Sequence, residues 1–271
     1  MAQNTLSAGT SPDRASALIE QALAGEPEEA TGIELSLPGD LVVALPGGFM
    51  TVDGDIIRTA SVRELTGRDE EAIFRHSTAG AALNTALVQG VTHIGTEPCT
   101  EALLDRLLIG DREALLVGIF TATFGNPAPL QTFCAKCREP KEALVDITVD
   151  ITQRIFADPL NDRVFEVKGK KSTFLVTFPD GKTQKELTNS GAKSGPELST
   201  VLLRGCIVKI DNHPVYSDAQ IQNLGIADRR KISAEIAKRN PGPIFEDTTA
   251  ECPDCGAEVV VPISIGALFR F

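Results

Sequence analysis

The chain lacks tryptophan, has one tyrosine and three histidines in 271 residues, and shows no stripe of cations set among aromatic rings. Proteins that grip nucleic acid use such rings for stacking and such cations for phosphate. Acidic groups predominate instead, 37 Asp and Glu against 26 Lys and Arg, and the formal net charge of −11 gives a surface that repels phosphate. No nucleic-acid partner is therefore expected. Two short basic groups, Lys168, Lys170 and Lys171 and then Arg229, Arg230 and Lys231, are read as solvated faces. No apolar run approaches the roughly 20 residues of a membrane-spanning helix. The opening MAQNTLSAGTSPDR also lacks the apolar stretch of an export signal, which points to a reducing cytoplasm. Catalytic signatures are missing as well: there is no GxSxG, Walker A or GxGxxG, and His76, His93 and His213 lie near no nucleophile motif. An enzyme is not expected.

What the chain does have is cysteine in a pattern. Four of its six cysteines form two short pairs far apart, Cys134-Ala135-Lys136-Cys137 and Cys252-Pro253-Asp254-Cys255-Gly256. Each spacing folds a turn whose amides point back at the sulfurs, and two such knuckles supply four thiolates at tetrahedral positions. A structural zinc ion on Cys134, Cys137, Cys252 and Cys255 is the natural reading. A redox dithiol and a pair of disulfides are the alternatives. Neither pair has a strand–CxxC–helix context, and six cysteines are too few for a disulfide framework. Pro253 and Gly256 suit a tight reversal in the second knuckle, whereas in the first Arg138 stands where a glycine is expected. Cys99 and Cys206 read as small buried hydrophobes.

With 42% hydrophobic and 23% charged residues the composition is that of a globular protein of one large or two moderate domains. Residues 1–31 read as a flexible polar arm with a short helical possibility at Ser16–Ala24. Region 32–130 follows. It opens with a hairpin, Ile33, Leu35 and Leu37 against Leu41, Val43 and Leu45, ended by Pro46-Gly47-Gly48, and Ile56–Val62 is a third strand. Thr66 and Asp69 form a capping box at the head of one long helix, in which Ile73, Ser77, Gly80, Asn84 and Leu87 share a stripe. Thr100 caps a helix over Glu101–Leu108, and Asp111 caps another over Arg112–Phe124.

Region 131–271 holds both knuckles and, between them, an inserted segment 140–243 too large to be a loop. Strands are expected around Val164–Val167 and Phe174–Phe178, an exposed excursion over 179–196, and a helix over Glu197–Cys206 with Leu198, Val201, Leu202 and Cys206 inward. A helix from Asp228 to Lys238 is broken by Asn240-Pro241-Gly242-Pro243. Strands lead into and out of the second knuckle, and Leu268-Phe269-Arg270-Phe271 is an apolar end suited to docking. The expected fold class is α+β: mixed helices and short antiparallel sheets, with a discontinuous four-cysteine zinc ribbon closing the insertion and stapling the C-terminus to mid-chain.

These stretches also match a known set. Val62 to Glu71 (VRELTGRDEE), Ile109 to Leu116 (IGDREALL), the Cys134/Cys137 pair, Leu202 to Cys206 (LLRGC), Pro241-Gly242-Pro243 and CPDCG with an aromatic tail resemble, in that order, T-even-type phage baseplate hub and hub-assembly proteins. The resemblance runs from about Ile33 to the end. It implies a non-enzymatic subunit of a contractile tail baseplate, at the hub or next to it, oligomeric within the assembly and bound to other baseplate and tail proteins. Its places would be the virion tail baseplate and, during assembly, the host cytoplasm. Only Cys134, Cys137, Cys252 and Cys255 acquire a role from it, as zinc ligands. A transient assembly chaperone is the alternative, and a zinc-ribbon nucleic-acid-binding factor centred on Arg229–Lys231 is a second.

Overall fold

The computed structural model describes residues 41–269. The arm, the short helix in it, the strand at 33–37 and the last two residues of the apolar end lie outside that range. Strand β1 (Leu41–Met50) pairs antiparallel with β2 (Ile56–Val62), Leu41 opposite Val62. Pro46-Gly47-Gly48 does not end β1 but lies within it. The register slips between Ala44 and Phe49, and Gly48 takes φ +69°, the left-handed conformation that a bulge asks of a glycine.

The capping box forms as expected: the Thr66 amide donates to Asp69 Oδ2 at 2.8 Å and opens α1 (Gly67–Phe74). Burial pushes the Asp69 carboxyl up. Hydrogen bonds from the Arg63 guanidinium, at 2.8 and 3.0 Å, and from Thr66 outweigh this and hold it down at about 2. The single long helix is in fact two. After α1 the chain breaks at Arg75–Thr78, and Thr78 accepts from the Ala81 amide to cap α2 (Ala79–Gly90). Serine and threonine bind backbone outside a helix as readily as within one, so Ser77-Thr78 favours a new start over continuation. Next, β3 (Val91–Ile94) and β4 (Glu97–Pro98) complete a four-stranded antiparallel sheet in the order β1-β2-β3-β4.

Thr100 caps α3 (Glu101–Arg106), and α4 (Ile109–Phe124) follows. Helix α4 is buried nearly all round from Gly110 to Phe120, which makes it the axis of the molecule. Two glycines let it approach its neighbours closely. A Cβ on Gly118 would lie 2.3 Å from Val43 of β1, and one on Gly110 only 1.5 Å from the Pro241 carbonyl oxygen. Asp111 is not the N-cap, because the helix starts earlier, with Leu108 in that position. The carboxylate is fully buried and accepts from the Gly47 amide at 2.7 Å, and burial pushes it up to about 6. Arg163 donates to the Gly47 and Gly48 carbonyls beside it.

Hairpin β5 (Ala128–Cys134) and β6 (Glu139–Val145) carries the first knuckle, and α5 (Ile147–Asp150) leads to β7 (Thr152–Arg154). A second layer begins with the hairpin β8 (Val164–Lys168) and β9 (Thr173–Thr177). The supposed excursion over 179–196 contains a packed helix, α6 (Gly181–Asn189), capped by Asp180. Gly181 lies so close to the Leu104 carbonyl that a Cβ would come within 2.6 Å. Low apolar content misled here because α6 is held mainly by backbone approach and polar contacts.

Helix α7 (Gly195–Cys206) buries Thr200, Leu203 and Cys206, while Leu198, expected inward, is 40% exposed. Strands β10 (Ile207–Ile210) and β11 (His213–Pro214) give the order β11-β10-β9-β8, and α8 (Asp218–Gln222) and α9 (Ile226–Arg239) pack on that unit through Ile221, Ile232 and Ile236. The chain returns on β12 (Gly242–Ile244), which pairs with β7, Gly242 opposite Arg154. This two-stranded neck closes the inserted unit. Hairpin β13 (Thr248–Glu251) and β14 (Glu258–Val261) carries the second knuckle, and α10 (Ile265–Leu268) ends the described chain. Leu268 and Phe269 are docked, the Phe269 ring edge-on to Phe120 at 5.7 Å. Mixed helices and short antiparallel sheets, an α+β architecture, are thus what the chain forms, and no helix among the described residues is long and apolar enough to cross a membrane.

The two layers are joined by Arg112, which is 2% exposed. Its guanidinium donates to Gln184 Oε1 on α6 at 2.8 Å, to the Leu104 carbonyl on α3 at 2.9 Å and to Asn84 Oδ1 on α2 at 2.9 Å. A buried charge is tolerated only when so satisfied.

Candidate metal centre

Both knuckles are the tips of antiparallel hairpins, and the two tips fold alike. In the first, the Arg138 amide donates to the Cys134 carbonyl at 2.7 Å; in the second, the Gly256 amide donates to the Cys252 carbonyl at 2.9 Å. Arg138 sits at φ 60° and Gly256 at φ 63°. The arginine therefore occupies the left-handed position that glycine fills in the other knuckle, and the missing glycine costs strain without costing the turn.

The hairpins bring the sulfurs together crosswise. Cys134 Sγ lies 3.7 Å from Cys255 Sγ and Cys137 Sγ 3.9 Å from Cys252 Sγ, and all four lie within 4.8 Å of one another. A tetrahedron with zinc–sulfur bonds of about 2.3 Å has sulfurs about 3.8 Å apart, whereas a disulfide needs about 2.05 Å. The spacing thus fits a shared divalent ion and not bonded pairs, and all six cysteines are free thiols. Cys134 and Cys252 are buried on Val259, and Cys137 and Cys255 are half-buried towards solvent.

The donors are also electronically suited to a cation. The Cys137 amide reaches back to Cys134 Sγ at 3.4 Å, and this backbone hydrogen bond brings the Cys134 thiol down to about 7. Its neighbour Cys137, hydrogen-bonded to the Cys255 sulfur, is pushed up to about 12. Cys134 thus ionises more readily and Cys137 less readily than a free thiol, so the two sulfurs of the first knuckle share charge, which a soft divalent ion would take over.

Two further contacts tie the ribbons together. Thr132 Oγ1 on β5 donates to the Val260 carbonyl on β14 at 2.6 Å. Lys141 on β6 places its ammonium 2.8 Å from Glu139 and 2.5 Å from Asp254, which lies between Cys252 and Cys255. Neither Lys141 nor Thr132 was distinguishable from an ordinary strand residue in sequence, since nothing local shows what a strand will face across 100 residues. Cys99 and Cys206 stay outside the cluster, their thiols pushed by burial up to about 11 and about 12. The histidines are dispersed: His76 Nε2 is 2.8 Å from Thr85 Oγ1 on α2, His93 lies on β3 and His213 on β11. Of the two basic groups, Lys231 reaches the first, its Nζ donating to the Lys168 carbonyl at 2.7 Å, whereas Arg229 donates to the Pro196 carbonyl and to Thr200 Oγ1 on α7.

A family model described as T4 bacteriophage base plate protein matches residues 55–270, a span that takes in both knuckles, the neck and the whole inserted unit. No curated protein and no solved structure matches the chain.

Proposed function

The chain belongs to the T4 bacteriophage base plate protein family, and on that premise we propose that it is a hub or hub-proximal subunit of a contractile tail, held together by one zinc ion. Family membership supports a structural role in the phage baseplate, a place in the virion tail and other tail proteins as partners. The zinc would sit on Cys134, Cys137, Cys252 and Cys255. The observation that carries it is the crosswise sulfur spacing of 3.7 and 3.9 Å, the edge of a zinc tetrathiolate. Four protein ligands leave no position open to a substrate, so such an ion acts on the fold and not in catalysis. That agrees with a subunit that works by binding its neighbours and has no chemistry of its own.

The metal would lie outside the neck. Pairing of β7 with β12 already closes the stretch from Arg154 to Gly242, and the ion would pin the flanking ribbons to each other. The division of the chain into an arm (1–31), an N-terminal region (32–130) and a ribbon region (131–271) interrupted by 140–243 is part of the proposal; the neck supports an insertion inside the ribbon region, with Arg154 and Gly242 at its base. Within the assembly the subunit would be oligomeric, and it would be present in the host cytoplasm before the tail is complete.

Mass spectrometry of washed particles, with zinc measured on the isolated chain, tests this. A fixed copy number and one zinc per chain support the proposal. Absence from particles with co-purification in baseplate intermediates would make the protein an assembly chaperone, and a zinc-free chain would remove the metal from the account.

A further inference from the structure

We propose that Lys141 is a positioning residue for the metal centre, a latch that keeps the two cysteine half-sites facing each other and neutralises the carboxylates that stand beside the thiolates. The inference rests on the four cysteines binding a divalent ion. Its own basis is geometric. Lys141 stands opposite Thr132 on the first ribbon, and its side chain is only 11% exposed. Its ammonium reaches Asp254 Oδ2 at 2.5 Å inside the second knuckle and Glu139 Oε2 at 2.8 Å, and Glu139 pairs with Cys134 at the edge of the first. One cation therefore touches both knuckles without touching a ligand sulfur. On the neighbouring strand, the hydrogen bond from Thr132 to the Val260 carbonyl draws the same two ribbons together.

Two consequences follow. Four thiolates around a divalent ion carry a net charge of about −2, and Lys141 keeps the carboxylates of Glu139 and Asp254, which stand beside them, from adding their full charge to that excess. The link from Lys141 to Asp254 also fixes the orientation of the Cys252–Cys255 turn, so a departing ion leaves a site already arranged for its return. Asp254 is 60% exposed, so the pair contributes little to folding as an ion pair; its effect is on the metal. Partners of this kind, which orient ligands without binding the ion, typically change metal affinity about 10- to 100-fold when removed.

The test uses the full chain, loaded with zinc or cobalt, and follows metal release to a chelator together with the cobalt absorption spectrum. Lys141→Met keeps the stem and removes the charge; Asp254→Asn changes a side chain that is 60% exposed and keeps its shape. Each is expected to weaken metal binding by about 10-fold or more, the double variant no further than either single one, and Lys141→Arg to restore most of the loss. A wild-type chain that binds one zinc, with both variants releasing it at the wild-type rate, overturns the latch and leaves the metal site standing. A wild-type chain that takes up neither metal overturns the site and the latch with it.

Discussion

Substituting Gly110 with alanine should be among the most damaging small changes this protein can suffer. A Cβ at this position would lie 1.5 Å from the Pro241 oxygen, 2.5 Å from the Pro241 carbonyl carbon and 3.0 Å from the Gly242 Cα. A carbon–oxygen contact needs about 3.3 Å, so α4 and the neck strand must part by roughly 2 Å. Neither side can yield cheaply. Helix α4 is packed through Leu115 and Ile119, both fully buried, and Gly242 is held at φ +130°, where only glycine rests without strain. Overpacking alone costs about 1–3 kcal/mol. Parting the junction also stretches the bond from the Gly47 amide to the buried Asp111 carboxylate, adding about 1.5–3 kcal/mol. Alanine returns about 1 kcal/mol of helix propensity. The net is about 3 kcal/mol, a fall in melting temperature of about 6–12 °C for a chain of this size. Thermal melts of the purified chain measure it, with Gly195→Ala as control, since nothing lies within 4 Å of a Cβ there. A Gly110→Ala protein that melts within a degree or two of wild type would refute the close approach of α4 to the neck.

Other expectations are smaller or more local. Arg138→Gly should stabilise the protein by about 1 kcal/mol, because it places glycine at the left-handed φ of the first knuckle; a destabilised variant in urea melts would contradict that. Asp69→Asn should cost about 2 kcal/mol at pH 7. The Asp69 carboxyl is depressed from 3.8 to about 2, so its contribution is complete above pH about 4 and disappears as pH falls through about 2, where wild type and variant should converge. A pH-independent difference would show that the effect is steric. Removing the proposed ion with a chelator should quicken amide exchange at Cys137, Arg138 and Gly256 while leaving the β8–β9 hairpin protected, because the neck closes that unit independently. Equal loosening of both would mean that ion and neck act as one.

Where a rule is local, the sequence carried it faithfully. The Thr66–Asp69 box, the β8 and β9 alternation and the knuckle spacing all depend on residues within a few positions of one another, and each forms as read. The failures share a different cause. Pro46-Gly47-Gly48 has the composition of a turn, yet it continues β1 because Asp111, 64 residues away, accepts the Gly47 amide. Asp111 has the look of a cap for the same reason that it serves as a buried acceptor: a short side chain with an oxygen suits both. Residues 179–196 are polar enough to pass for a surface loop, but Gln184 is polar because it answers Arg112. In the centre itself the four cysteines that cluster were legible and the contacts around them were not, since the reach of Lys141 to Asp254 depends on how two hairpins meet.

The bridge from Arg112 to Gln184 bears on how the chain melts. Seen through its neck alone, the segment between Arg154 and Gly242 would be a passenger that could be excised, with the host closing over the gap. Excision would remove Gln184 together with the α6 backbone that covers Arg112, so the guanidinium would lose an acceptor and its burial at once, and the host could close over the gap only by burying a charge that it no longer fully satisfies. Host and insertion therefore share a cation that neither can keep satisfied alone, and the described chain should unfold in one cooperative transition instead of two.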